Sequence, residues 1–269
     1  MSENRPMRTG QAILPPITDP TVHAEIDRLA RRYLDAGGIG MDLLQAIGGN
    51  AETLIEYVPA GVRKRVDRIT YRGLNRAFDA AASSRRVLRD RGAMFNRLLS
   101  TVSGAAGGIA GLGGAVLELP VTITLLLRAI LEVGAEHGFD PDTDEVRIEA
   151  LRVLASAGPL SEDDATDLGL LAARLSITGH SVQGLIAKVA PKLSISFAQK
   201  LGAQAVPILG AVAGASINYT FARYYQELAR VNFGLLRLEH ETGLPREALV
   251  EAFEIRVNQL RAPVSRKRR

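Results

Sequence analysis

A glycine-rich run at residues 103–120, SGAAGGIAGLGGAVLELP, constrains the fold more than any other segment of this chain. Six of the eleven residues from 104 to 114 are glycine. Four of these glycines are three or four residues apart, so on a helix they form one stripe that continues through Glu118: Gly104, Gly107, Gly111 and Gly114. Each glycine inside a helix destabilises it by about 0.5–1 kcal/mol relative to alanine. We therefore expect this stripe to lie against another backbone at close range.

A second segment, residues 201–222, repeats the pattern with Gly210, Gly214 and Asn218 at intervals of four. Helices whose facing sides carry small residues can pack closely. We predict that the two segments face each other at the centre of the fold. Asn218 would then be available to hydrogen-bond a buried polar group such as Glu118.

The same two segments raise the question of a membrane span. Twenty residues without charge separate Arg97 from Glu118, and 22 separate Lys200 from Arg223. A spanning helix needs about 20 apolar residues. Glycine, alanine, serine, asparagine and glutamine dilute both segments and weaken their transfer into lipid. Buried helices of a soluble or membrane-surface bundle are therefore the favoured interpretation, and a transmembrane hairpin is the alternative.

Helical periodicity continues through almost the whole chain, and no run of alternating β-branched residues is present. The sequence predicts an all-α protein, a single multi-helix bundle with glycine-rich central helices. Capping residues, prolines and glycines set the expected helix ends. Helices are expected from Pro20 towards Gly37-Gly38, from Gly40 to Tyr57, from Val62 to Ala82, from Arg85 to Ser100, from Leu119-Pro120 to Gly138, from Asp142-Thr143-Asp144 to Ala155, from Ser161 onward, and over 182–199, 207–241 and 245–260.

The expected organisation is a flexible N-terminal segment at 1–17, a helical domain at 18–260 and a basic tail at 261–269. The first residues lack the charged and then apolar pattern of a signal peptide. Cysteine is absent from the sequence, which excludes a disulfide framework and thiol chemistry. We therefore expect a cytoplasmic protein.

Charge is distributed unevenly along the chain. Residues 61–97 hold eleven lysines and arginines and three aspartates, a local charge of +8, whereas residues 132–167 hold eleven acids and two arginines, a local charge of −9. The candidate residues for an anionic surface form a basic stripe beside an apolar one and then continue along the chain: Arg65, Arg68, Arg72, Arg76, Arg85, Arg86 and Arg89. An anionic membrane is one partner for such a surface. The alternative is a solvated helix face paired with the acidic stretch. Nucleic acid is a poor candidate, because no recognised binding motif accompanies the charge.

Residues that would identify a reaction are missing. The four histidines lack the paired spacing of a zinc site. The aspartates at 140, 142 and 144 begin like a calcium loop, but its sixth and twelfth positions are Glu145 and Leu151, so helix capping explains them better. We expect no cofactor and no metal. Glu118, Arg128 and Asn218 form the candidate polar site, for which an internal ion pair or capped contact is the simpler interpretation than acid–base catalysis.

Two stretches, 103–155 and 204–243, resemble the EcsC protein family of bacteria. The matching elements are the glycine-rich run, Glu118-Leu119-Pro120, the segment LLRAI at 126–130, Gly138 with the acidic turn after it, Pro207, Gly210-Ala211, Gly214, Asn218 with Phe221, and Phe233 with Arg237-Leu238-Glu239. Glu118 stands where many relatives carry aspartate. The resemblance covers roughly Ile26 to Gly243.

This resemblance implies no established activity, because the family takes its name from a gene beside the components of an ABC transporter. It favours a non-catalytic helical module at the inner face of the cell membrane that assists transport, secretion or envelope homeostasis. Its partner would be an anionic membrane surface or a membrane protein. The alternatives are a hydrolase built on Glu118, Arg128 and Asn218, and a soluble protein-binding scaffold. Oligomeric state is not predicted.

Overall fold

Capping and packing of amphipathic segments define eight helices in the described part of the chain. The computed structural model describes residues 16–46, 51–88, 111–156, 158–160, 182–205 and 210–261. The helices are α1 (Pro20–Ala46), α2 (Ala51–Glu56), α3 (Ala60–Leu88), α4 (Gly111–Glu136), α5 (Asp144–Leu154), α6 (Val182–Ala205), α7 (Gly210–Thr242) and α8 (Arg246–Arg261). No strand occurs within these ranges. The all-α prediction is confirmed.

Several predicted helix ends are also confirmed. Helix α1 begins at Pro20, where the Asp19 carboxylate accepts a hydrogen bond of 2.8 Å from the Thr21 N–H. The Thr143 hydroxyl caps α5 by accepting from the Val146 N–H at 3.4 Å. Gly138 follows α4 with a φ of +87°, and Gly243 follows α7 with a φ of +66°. Glycine adopts this left-handed conformation without the steric penalty that other residues incur.

Three predicted helix boundaries are wrong. Helix α3 runs without a break through residues 82–85, where one helix was expected to end and the next to begin, because each serine at 83 and 84 costs a helix less than about 0.7 kcal/mol. Helix α1 continues through Gly37 and Gly38 to Ala46, because contacts with α7 and α8 hold the helix along its length. Pro120 lies inside α4 and not at its start. A proline inside a helix costs about 3 kcal/mol. Burial of Val116 and Ile123, one turn on either side of Pro120, offsets this cost.

The long helix α7 forms the centre of the described fold and contacts α1, α4, α5, α6 and α8. Helix α3 contacts α4 and α6, and α2 contacts α6. Small residues allow close approaches between these helices. An ideal Cβ on Gly73 of α3 would lie 2.7 Å from the Ile123 Cδ1 atom of α4. An ideal Cβ on Gly202 of α6 would lie 1.8 Å from the backbone oxygen of Leu54 in α2.

Two contacts lie close to the expected domain boundaries at residues 17 and 261. Ile17, in the expected N-terminal segment, accepts a hydrogen bond at its carbonyl from His23, with Nε2 at 2.9 Å. Arg261, the first residue of the expected basic tail, is the last residue of α8 and lies 5.9 Å from the centroid of the Tyr33 ring. Residues 1–15 and 262–269 lie outside the described part.

Candidate functional site

Four polar side chains meet between α4, α6 and α7, and we call Glu118, Thr122, Lys200 and Asn218 the buried polar cluster. The Asn218 amide donates to Glu118 Oε1 at 2.5 Å, and the Thr122 hydroxyl donates to the same oxygen at 3.2 Å. The Lys200 Nζ lies 3.6 Å from Glu118 Oε1 and 3.5 Å from the Thr122 hydroxyl oxygen. One carboxylate oxygen therefore connects three helices.

Burial dominates the electrostatics of this cluster. The side chain of Lys200 is fully buried, and Glu118 and Asn218 are 8% and 2% exposed. Removal from water lowers the pKa of Lys200, and the Glu118 carboxylate opposes this effect by stabilising the ammonium form. A buried ion pair of this kind gives little net stability, but the loss of either partner leaves an uncompensated charge.

The expected hydrogen bond between Asn218 and Glu118 is present. Arg128 lies outside the cluster, because ten residues along α4 correspond to about 15 Å, which exceeds the combined reach of the two side chains. The hydrolase hypothesis requires Glu118, Arg128 and Asn218 to converge in a polar cleft; a hydrogen bond brings Glu118 and Asn218 together, and the hydrolase activity stays a prediction. Arg128 is itself buried, with 1% of its surface exposed.

Sequence reasoning missed Lys200 and Thr122. Lys200 lies at the boundary of an uncharged segment, a position that suggests a solvent-exposed residue. A usable signal was the apolar surroundings of Lys200 in the stretch SFAQKLGA at 196–203. A lysine at a core position of a helix requires a buried partner.

The buried polar cluster is largely closed to solvent. Its carboxylate is already engaged by Asn218, Thr122 and Lys200, and little of the cluster is accessible to a substrate. No group of three or more metal-ligating side chains occurs among the described residues. The arrangement is suited to holding three helices in register.

The second candidate site is the exposed side of α3. Arg65, Arg68, Arg72 and Arg76 are all exposed, while Val66 and Leu74 on the opposite side are buried. We call these four arginines the arginine stripe. None of the four forms an ion pair with another residue of the described ranges, so their charges face solvent. Arg85 and Arg86 lie further along the same helix, and Arg89 lies outside the described residues.

The acidic stretch has partners on other helices. Arg246 of α8 contacts Glu149 of α5 at 3.5 Å, and Arg230 of α7 contacts Glu136 of α4 at 3.7 Å. His240 lies 3.3 Å from Glu145. The arginine stripe therefore does not pair with these three acids, and neutralisation of the basic helix by the acidic stretch stays an alternative.

The glycine stripes are described only in part. Gly111 and Gly114 lie in α4, and Gly210 and Gly214 lie in α7, which contacts α4. Gly104 and Gly107 lie outside the described residues, so close packing of the two stripes stays a prediction. Across the described ranges, no helix has the length and hydropathy needed for a membrane span.

Another group of arginines borders a groove between α1 and α7 with a volume of about 400 Å³. Most of these charges are compensated. Arg28 pairs with Glu25 at 2.5 Å, Arg31 with Asp27 at 2.9 Å and Arg32 with Glu227 at 2.7 Å. The groove is lined by Arg28, Arg31, Arg32, Asp35, Ile39, Arg223 and Glu227. Its basic character is therefore weaker than that of α3.

Comparison with known proteins gives one match. The model of the EcsC protein family matches residues 5–238, which include the buried polar cluster and the arginine stripe. No curated protein matches this chain. No solved structure matches it either.

Proposed function

The chain belongs to the EcsC protein family, and we propose that it is a non-catalytic helical module that binds the surface of an anionic membrane through α3. In this proposal it acts at the inner face of the cell membrane as an accessory to transport, secretion or envelope homeostasis. The observation that carries the proposal is the arginine stripe, which is exposed and has no ion-pair partner among the described residues.

Arginine is well suited to this role. Its guanidinium group can donate two parallel hydrogen bonds to a phosphate, and its aliphatic stem can lie along an apolar surface while the charge reaches outward. Each basic residue near an anionic bilayer contributes about 1 kcal/mol to binding. Four such residues on one helix face can therefore give measurable binding without an inserted helix.

The buried polar cluster does not support a competing enzymatic function. A hydrolase centred on Glu118 and Asn218 would need access for substrate and water, whereas these side chains are 8% and 2% exposed. The other alternative is a soluble protein-binding scaffold that does not bind lipid, and the flotation assay described next distinguishes it from a membrane-binding module.

A vesicle flotation assay tests the proposal. Vesicles of phosphatidylglycerol in phosphatidylcholine are compared with pure phosphatidylcholine, at salt concentrations of about 0.1 M and about 1 M, where the Debye length is about 10 Å and 3 Å. We expect flotation with the anionic vesicles that weakens strongly at high salt. Absence of flotation with anionic vesicles at both salt concentrations would refute membrane binding and favour the scaffold.

Matched variants locate the contact. Arg68→Gln with Arg72→Gln removes two charges from the arginine stripe, for an expected loss of about 2 kcal/mol, or about 30-fold in partitioning. Arg31→Gln with Arg223→Gln removes two charges from the groove between α1 and α7 and should change partitioning by about twofold or less. Equal losses in the two double variants would show that net charge, and not α3, determines binding.

A further inference from the structure

An exposed apolar face lies at the N-terminal end of α4. Leu117 is 79% exposed and Val121 is 50% exposed, and the two residues are one helical turn apart. Gly113 and Pro120 on the same side are also exposed. We call Gly113, Leu117, Pro120 and Val121 the apolar strip. Leucine and valine at neighbouring exposed positions leave their hydrophobic surface in contact with water.

The apolar strip and the arginine stripe lie on two helices that pack against each other. Gly73 of α3 and Ile123 of α4 mark the seam between these helices, since an ideal Cβ on Gly73 would lie 2.7 Å from the Ile123 Cδ1 atom. A helix turns about 100° per residue, so Pro120 lies about 60° around α4 from Ile123. By the same geometry Arg76 lies about 60° around α3 from Gly73, and Arg72 about 100° in the same direction.

Both faces are exposed, and both border this seam between α3 and α4. One pair of packed helices therefore carries a basic stripe and an apolar strip. This combination matches the boundary between headgroups and acyl chains of an anionic bilayer, which presents phosphate above hydrocarbon.

We propose that the apolar strip of α4 inserts into the headgroup–acyl boundary while the arginine stripe contacts lipid phosphates. This inference rests on the proposed function and adds a hydrophobic, salt-resistant component to the electrostatic one. The helices stay folded and parallel to the membrane surface, and only side chains enter the bilayer.

Tryptophan fluorescence tests the insertion directly, because the chain contains no tryptophan. Leu117→Trp places a single probe in the apolar strip. Ile255→Trp places a matched probe on α8, where Ile255 is 51% exposed. On adding anionic vesicles, we expect a blue shift of the Leu117→Trp emission and quenching by brominated phospholipids. The Ile255→Trp emission should stay unchanged.

A second variant measures the contribution to binding. Leu117→Ser with Val121→Ser changes only exposed positions, and circular dichroism checks that the helix content is retained. This variant should partition about 10-fold more weakly than the unmodified protein, with the same fold-loss at about 0.1 M and about 1 M salt.

The outcomes separate the two proposals. If the protein floats with anionic vesicles but the Leu117→Trp probe shows no shift or quenching, insertion is refuted and electrostatic binding stands. If no variant floats, both proposals fail. If the Leu117→Trp emission is already blue-shifted without vesicles and shifts back on dilution, a second copy of the chain covers the strip, which also overturns the inference.

Discussion

Replacing Gly202 by alanine tests the closest described contact between helices. An ideal Cβ at this position would lie 1.8 Å from the backbone oxygen of Leu54 and 2.5 Å from its carbonyl carbon. Real Cβ atoms essentially never approach another heavy atom within 3.0 Å. The Cβ–oxygen distance must therefore lengthen by at least 1.2 Å, the difference between 3.0 Å and 1.8 Å. Since the neighbour is backbone, no side-chain rotation relieves the clash.

The expected size follows from two opposing effects. Alanine favours a helix over glycine by about 1 kcal/mol. Overpacking a buried contact costs about 1–3 kcal/mol, and the upper part of this range applies because α2 and α6 must separate. We expect Gly202→Ala to lower the free energy of unfolding by about 2 kcal/mol. In a domain of this size that corresponds to a decrease in Tm of about 4–8 °C.

Gly38→Ala is the matched control, because it makes the same chemical change inside α1 where a Cβ would meet nothing within 4 Å. This variant should be more stable than the unmodified protein by about 0.5–1 kcal/mol. Urea unfolding followed by circular dichroism measures both variants. If Gly202→Ala proves as stable as Gly38→Ala, then the close approach of α2 and α6 is wrong.

Three further predictions concern charged residues. Lys200→Met leaves the Glu118 carboxylate buried without its cation and should lower the free energy of unfolding in urea by about 3–5 kcal/mol. Adding Glu118→Gln should restore most of the lost stability. A double variant as unstable as Lys200→Met alone would contradict the ion pair. The Arg28 guanidinium beside Glu25 and that of Arg31 beside Asp27 lower the pKa of these two carboxyl groups below their ordinary values of 4.5 and 3.8. The two ionised carboxylates therefore stabilise the fold fully above their ordinary pKa values, and this stabilisation is lost as the pH falls through their lowered pKa values. Glu25→Gln with Asp27→Asn should make the free energy of unfolding depend less on pH between about pH 5 and pH 2. An unchanged pH profile would refute this contribution. In Arg72→Glu, the new carboxylate attracts the arginines four residues away on either side and should stabilise the helix by about 0.5 kcal/mol. The same change should weaken flotation with anionic vesicles. An increase in flotation would contradict the proposed membrane contact.

Local sequence signals predicted the helices well where their cause was local. Pro20, Thr143 and Gly138 act through capping or backbone conformation within one turn, and the structure agrees at each. Gly37-Gly38 and Pro120 failed as helix boundaries because their local cost is about 1–3 kcal/mol, which long-range packing can exceed. The described helices α1 and α4 pass through these residues.

The buried polar cluster was predictable only in part. The spacing of Asn218 with Gly210 and Gly214 placed Asn218 on a buried helix face, and Glu118 followed the other glycine stripe, so their meeting could be expected. Lys200 and Thr122 are 78 residues apart in sequence. Periodicity assigns each residue to a face of its own helix, but it cannot say which faces meet across such a separation.

The arginine stripe differs from the other arginines of the described ranges that join helices. Arginines elsewhere join helices, as Arg237 does with Glu25 at 3.1 Å and Arg256 with Asp27 at 2.5 Å. In the stripe, arginines four residues apart on one helix repel each other and destabilise it by about 0.2–0.5 kcal/mol per pair. None gains a compensating ion pair from the described residues. In the proposed function, lipid phosphate would supply the opposite charge that the described residues do not provide to these four arginines.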